Sequence, residues 1–233
     1  AVDSGTNLGV VKSFESLLSH YGDTDYCMFC DQDDIWFDNK VETLYNTIIK
    51  SDASKPAAVS STTIDYVDGV PTRDHTTPRL TWKHMLQGHG CQGCCAILNR
   101  ALLDKVLPLN LPKGMMYDAY IGFVACMLGN WENIGTPLMY YRHHSNNVIA
   151  NLNAPTDRKD QYPAIIAPGR FDLMRLVRER FGSEFRSERV KMFEEMLKLE
   201  NRQSKISRIL ALFKLNKISK VTRIKTAVKI FIQ

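Results

Sequence analysis

Residues 26–36 read Tyr26-Cys27-Met28-Phe29-Cys30-Asp31-Gln32-Asp33-Asp34-Ile35-Trp36, an apolar run that breaks into three carboxylates within four positions. A short apolar run bounded by polar residues is the pattern of a buried strand. The acidic cluster then falls at the strand's C-terminal end, and open α/β sheets bind ligands beyond the carboxyl ends of their strands. One stretch therefore implies both a sheet and the place of a site.

Working outward, residues 7–21 set Val10, Val11, Phe14, Leu17 and Leu18 at helical spacing, and residues 39–50 do the same with Val41, Leu44, Tyr45, Ile48 and Ile49. Residues 57–61 read as a second strand. Helix, strand, helix, strand points to an α/β fold with a mostly parallel sheet flanked by helices. Residues 65–78, with Gly69, Pro71 and Pro78, read as a loop or short hairpin. Then follow a short helix over 82–86, a strand over 94–98, a helical turn over 100–106 ended by Pro108, and a buried helix over 116–128 that starts at Asp118. Residues 134–141 read as an edge strand whose irregularity is Pro137. The division expected is an α/β domain over 1–150, a linker over 151–169 and a helical basic extension over 170–233, with no internal repeat.

At 233 residues, 44% hydrophobic and 24% charged, the chain has material for one sizeable core, which excludes global disorder. No apolar run of about 18 residues is present to span a bilayer. The chain opens Ala1-Val2-Asp3, without an initiator Met or a signal segment, so it is expected to be cut from a longer, cytoplasmic gene product. Two of its cysteine pairs, Cys27/Cys30 and Cys91/Cys94, have C-x-x-C spacing. Zinc ligation is one reading; the position of Cys27 and Cys30 in an apolar strand favours the other, free cysteines acting as small hydrophobes.

Three clustered carboxylates cannot all lose water and stay charged without a positive partner. Oxygen ligands suit Mg²⁺ or Mn²⁺, which bridge one or two carboxylates to substrate phosphates. The alternative is a solvated acidic turn that caps the next helix through Asp38 or Asn39.

The run Asp31-Gln32-Asp33-Asp34-Ile35-Trp36 with Asn39-Lys40 resembles the signature of family 2 glycosyltransferases, rhamnosyltransferase-like members above all, which have the GT-A fold. Asn7-Leu8-Gly9, Gly93-Cys94 with Leu98-Asn99-Arg100, and Tyr141-Arg142-His143-His144-Ser145-Asn146-Asn147 match in the right order, so the resemblance covers roughly residues 5–150. It implies that Asp31 and Asp33 form the D-x-D element, Asp33 ligating the metal and Asp31 facing the donor's ribose or sugar, with Asp34 assisting either. Arg142 and His144 would meet the diphosphate or the metal. Asp118 would be the catalytic base, deprotonating an acceptor hydroxyl for a single inverting displacement; without the family, a first-turn acid favoured by the helix dipole explains it as well.

The activity implied is an inverting hexosyltransferase that uses a nucleotide-diphosphate sugar and a saccharide or lipid-linked acceptor in bacterial cell-surface polysaccharide synthesis, with rhamnose as the family's suggestion. The chain departs from the pattern in two places. Nothing upstream of Asn7 matches the family's first nucleotide-binding strands, which leaves open whether this piece is active alone, and His89 stands where a plainer polar residue is expected. The other classes consistent with the residues are a non-catalytic glycosyltransferase-like remnant, a zinc-stabilised binding module and a membrane- or partner-binding module.

The charge is divided unevenly. Residues 201–233 carry nine Lys or Arg and no acid, which leaves 21 basic against 25 acidic groups before them. Apolar residues recur through 206–232 between these bases, the composition of a helix lying on an anionic membrane face or packed on the catalytic domain with its basic side in water. Nucleic acid is not an expected partner, because Phe213 and Phe231 are the tail's only aromatics.

Overall fold

The computed structural model describes Gly5 and residues 7–20, 22–144 and 168–200. The elements run α1 (Gly9–Leu18), β1 (Tyr26–Met28), β2 (Ile35–Trp36), α2 (Lys40–Ile48), β3 (Ala57–Val67), β4 (Val70–Asp74), β5 (Leu80–Thr81), α3 (Trp82–Leu86), β6 (Ala96–Asn99), α4 (Arg100–Val106), α5 (Tyr117–Leu128), β7 (Asn130–His143), α6 (Pro168–Phe181) and α7 (Ser187–Leu197). The strands form one sheet in the order β1-β6-β3-β7-β2, with β4 added to β3 and β5 to β7.

The α/β class is as expected, but the sheet is mixed rather than mostly parallel. Only β3 and β7 pair in parallel; β6 runs antiparallel to both β1 and β3. The helix-strand alternation set β1 and β3 in a common direction. What periodicity could not show is that β6 enters between them. A 3-10 turn over Gly93–Cys95 delivers the chain beside the acidic cluster, at the C-terminal ends of β1 and β3, so β6 must run back the other way.

Strand periodicity of two sorts the core onto two faces. Ala58, Ala96 and Leu98 face a large cluster built on α1, α4 and α5, whereas Ala57, Val59 and Ile97 face Leu44 and Ile48 of α2. All of α5 is buried except Asp118 and Ala119, so the helix is a central element with one polar opening at its first turn.

The expectation of an edge strand over 134–141 does not hold. β7 is interior, paired with β3 on one side and with β5 and β2 on the other. Pro137 is tolerated there because the β3–β7 register shifts on either side of Thr62, its partner, while Gly135 turns the backbone at φ 78° just before it.

The described part of the C-terminal extension belongs to the main core. Phe171, Met174, Val177, Met192, Phe193 and Met196 are buried in the same cluster as α5. The start of α7 also closes the end of α5: the Arg186 amide donates to Met127 O at 3.2 Å, the Arg186 side chain to Gly129 O at 3.3 Å, and Arg189 to Cys126 O. Cationic donors at the last carbonyls of a helix satisfy orphan acceptors and oppose the dipole. No described helix is long and apolar enough to cross a membrane. Of the linker expected over 151–169, residues 168–169 open α6 instead, while residues 151–167, Ser145-Asn146-Asn147 and the basic segment 206–232 lie outside the described residues.

Candidate functional site

β1, β3 and β7 point the same way, so their C-terminal ends gather Asp31–Asp34, Asp65 and the pair His143 and His144. Alternation at the end of β7 turns these two histidines apart. His144 Nε2 meets Asp33 Oδ2 at 2.6 Å, and His143 Nε2 meets Asp65 Oδ1 at 3.1 Å. Asp33 and His144, both expected as metal ligands, are thus brought into contact from positions 111 residues apart. Arg142 contributes through its backbone, whose N–H donates to Asp34 Oδ1 at 3.2 Å.

The acidic turn is not simply solvated. Asp31 and Asp34 are half-buried, and ligand atoms of Asp31, Asp34 and Cys94 lie within 4.8 Å of one another, the sole such grouping among the described residues. Burial, joined by repulsion from Asp33, raises the Asp31 carboxyl above its ordinary value. Burial pushes Asp34 up to about 6, against the pull of the Arg142 amide and the Cys94 thiol. The second oxygen of Asp34 is buried without a hydrogen-bond partner among the described residues.

A buried, unpaired carboxylate oxygen is costly, and a divalent cation is the partner that the donor set suits. Two carboxylates, with Asp33 and His144 beside them, match Mg²⁺ or Mn²⁺. Its hydrogen bond with Cys95 and burial raise the Cys94 thiol, and its soft sulfur suits Mg²⁺ or Mn²⁺ less well than the carboxylate oxygens do. The two C-x-x-C pairs do not converge on a zinc site, and all six cysteines are free.

Asp118 lies in the first turn of α5, whose N-cap is Met116. Its carboxylate does not cap the helix end in the usual way: Oδ2 accepts from the Gly93 amide at 3.1 Å and Oδ1 from the Ala119 amide at 2.7 Å. Burial raises its pKa, and these two amides oppose the rise without cancelling it. Gly93 is required here, because a Cβ on it would stand 2.4 Å from the Tyr117 hydroxyl. The Gly93–Cys95 turn therefore touches both candidate centres, Asp118 through an amide and Asp31 with Asp34 through the Cys94 thiol.

Lys40, the second residue of the Asn39-Lys40 pair, carries no role that its local sequence assigns. It is fully buried, donates to Cys94 O at 2.6 Å and sits 3.9 Å from the Trp36 ring centroid. Burial holds its ammonium below the ordinary value, with the Cys95 and Cys94 thiols acting the other way. It fixes the turn that carries Gly93 and Cys94 from beneath the acidic cluster. The sequence signal was its place after Asn39; what was missing was the partner, 54 residues away. Asp65 was also unmarked, and is held by His75 Nε2 at 2.9 Å as well as by His143.

No protein-family model matches the chain, and no curated protein does. Among solved structures, the chain resembles S. aureus TarS 1-349 in complex with UDP-GlcNAc at a TM-score of 0.52 and 14% identity, over 91% of this chain and 62% of that one. At that identity the likeness is one of fold: the chain has a glycosyltransferase-like fold of the GT-A type. It spans less than two thirds of the length of the structure it matches.

Proposed function

We propose that this chain is the catalytic part of a divalent-metal-dependent glycosyltransferase that moves a hexosyl unit from a nucleoside-diphosphate sugar to a saccharide or lipid-linked acceptor, with inversion. The observation that carries this reading is the pairing of an acidic metal-type cluster with a separate, half-buried carboxylate, Asp118, on a fold shared with a protein solved with UDP-GlcNAc. Rhamnose as the sugar and cell-surface polysaccharide synthesis as the pathway rest on the motif resemblance.

Asp31, Asp33 and Asp34, with His144, are the groups that would hold Mg²⁺ or Mn²⁺. When bound, the metal supplies Lewis-acid neutralisation of the charge on a leaving diphosphate. Asp33 keeps His144 oriented, and the Arg142 backbone amide orients Asp34. Lys40 fixes the Gly93–Cys95 turn. Asp118 Oδ2, aimed by the Gly93 amide, accepts the acceptor's hydroxyl proton; its raised pKa strengthens it as a base. Attack opposite the leaving group breaks the anomeric C–O bond as the new one forms. A cytoplasmic location with peripheral contact at the anionic inner face of the cell membrane, through the basic segment 201–233, completes the reading.

The test is donor binding and turnover across a panel of nucleoside-diphosphate sugars with and without Mn²⁺. Asp33→Ala is expected to abolish metal-dependent donor binding. Asp118→Asn is expected to keep donor binding and lose transfer by 10²–10⁴-fold, as roughly expected for a general base. Wild-type folding with no donor binding would leave a non-catalytic relative of the fold.

A further inference from the structure

Against the C-terminal halves of β3 and β7 lies a cavity of about 340 Å³ whose walls include Ser61, Asp65, His75, Gln92, Tyr141 and His143. We propose that it is a subsite for one neutral, pyranose-sized saccharide unit of the acceptor, a reading that rests on the transferase function proposed above.

Size comes first. The volume is at the small end of ligand sites, roughly 300–1,000 Å³, enough for a single sugar ring with its bound water but not for a long oligosaccharide. Chemistry comes second. The wall is built from hydroxyl, amide, imidazole and carboxylate groups, with no Lys or Arg among its lining residues, so nothing there offers a fixed positive charge to a phosphate or carboxylate ligand. Asp65 is held open between two imidazoles, His75 on Oδ2 at 2.9 Å and His143 on Oδ1 at 3.1 Å. These three do not converge as metal ligands, since no such grouping occurs among the described residues. Carboxylate and imidazole groups in fixed array are suited to vicinal hydroxyls, each of which both donates and accepts.

The third observation is a vacancy in the hydrogen bonding. Ser61 is 2% exposed, and its hydroxyl is buried without a partner among the described residues, although it lines the cavity. Buried hydroxyls are ordinarily satisfied, so a ligand hydroxyl is the natural complement. Tyr141, with the His143 ring 5.1 Å away edge to face, adds an aromatic surface for the apolar side of a sugar ring. Position comes last: Gln92 lines the cavity, and the next residue, Gly93, bonds Asp118. The residue that follows a lining residue of the cavity thus holds the carboxylate proposed as base.

The experiment is saturation-transfer NMR of the intact chain with glucose, galactose, rhamnose, N-acetylglucosamine and inorganic phosphate, for wild type, Ser61→Ala and His75→Gln. Thermal unfolding serves as the control of folding. At least one neutral sugar is expected to bind the wild type, with affinity falling five-fold or more in both variants, whereas phosphate does not compete. Ser61→Ala should unfold at the wild-type temperature or above, because it removes an unpartnered hydroxyl. The inference is overturned if no sugar binds, if both variants bind as well as wild type, or if phosphate displaces the sugar. Mn²⁺-dependent donor binding, measured on the same samples, separates the two readings. Donor binding without a Ser61-dependent sugar site sinks the subsite alone; a Ser61-dependent sugar site without donor binding sinks the transferase and the acceptor role with it, leaving a sugar-binding cavity.

Discussion

The second carboxylate oxygen of Asp34 is buried with no hydrogen bond among the described residues, and that one atom has a measurable consequence. Its carboxyl is pushed up to about 6, so the folded protein holds this proton more tightly than the unfolded chain, where an Asp titrates near about 3.9. Stability from this group is present at low pH and is lost as pH rises through about 4 to about 6, an effect of at most about 3 kcal/mol for a two-unit shift. On the proposed function, a divalent cation held there would offset the loss where the carboxylate is ionised. Thermal unfolding should therefore show a larger rise in Tm with MnCl₂ at pH 7.5 than at pH 5, and Asp34→Asn should flatten the dependence; equal Mn²⁺ effects at both pH values would remove Asp34 from the metal site. Asp118 gives the kinetic counterpart. Because burial raises its pKa and a base must be ionised to act, the acid limb of kcat/KM should lie above the ordinary carboxylate range and disappear from the residual rate of Asp118→Asn. Asp31 and Asp33 were legible as candidates from their clustering in local sequence, and Asp118 only through the family resemblance, since a first-turn acid explains it as well. Lys40, Cys94 and the Asp65–His75–His143 array were not, since each depends on which distant backbone or side chain the sheet brings near.

Elements are placed by backbone approaches that only glycine allows, and these mark where the fold tolerates least. At the α5–β7 junction a Cβ on Gly129 would stand 1.7 Å from Pro56 O, whose position is fixed by its bond from the Asn130 amide at 2.8 Å. Gly129→Ala should therefore separate β7 from the start of β3 and lower Tm by roughly 5–10 °C, the scale of a 2–3 kcal/mol loss in a domain of this size; an unchanged Tm would mean that the junction relaxes freely. Such approaches also explain the limits of reading elements from pattern. The helices α1, α2, α4 and α5 announce themselves by apolar spacing, and β1, β3 and β6 by short apolar runs. β2 and β5, two residues each, carry no periodicity of their own and exist only as partners of β7. β7 looked like an edge because Pro137 has no N–H to give; the shifted register around Thr62 supplies the room that a regular ladder would not.

Across the whole molecule, charge and core divide the chain at different places. The core runs on through Leu199, 1% exposed, and Glu200 is paired with Arg175, so α6 and α7 are part of the folded body. The charge boundary comes just after, with nine Lys or Arg and no acid in 201–233 following a body of 21 basic and 25 acidic groups. A body of net negative charge is repelled by an anionic surface, so any attraction to one has to come from the segment beyond 200. Each Lys or Arg held near such a surface contributes about 1 kcal/mol, and the gain is screened by salt. A chain ending at Glu200 should unfold within a few degrees of the full chain, since Leu199 and the Arg175 partner are kept. It should also lose at least ten-fold in binding to phosphatidylserine-containing vesicles at 0.1 M salt, while the full chain releases progressively as salt is raised. Binding of the shortened chain as tight as that of the full one would place the membrane contact on the folded body, and unfolding of the shortened chain would instead show that the basic segment packs against it.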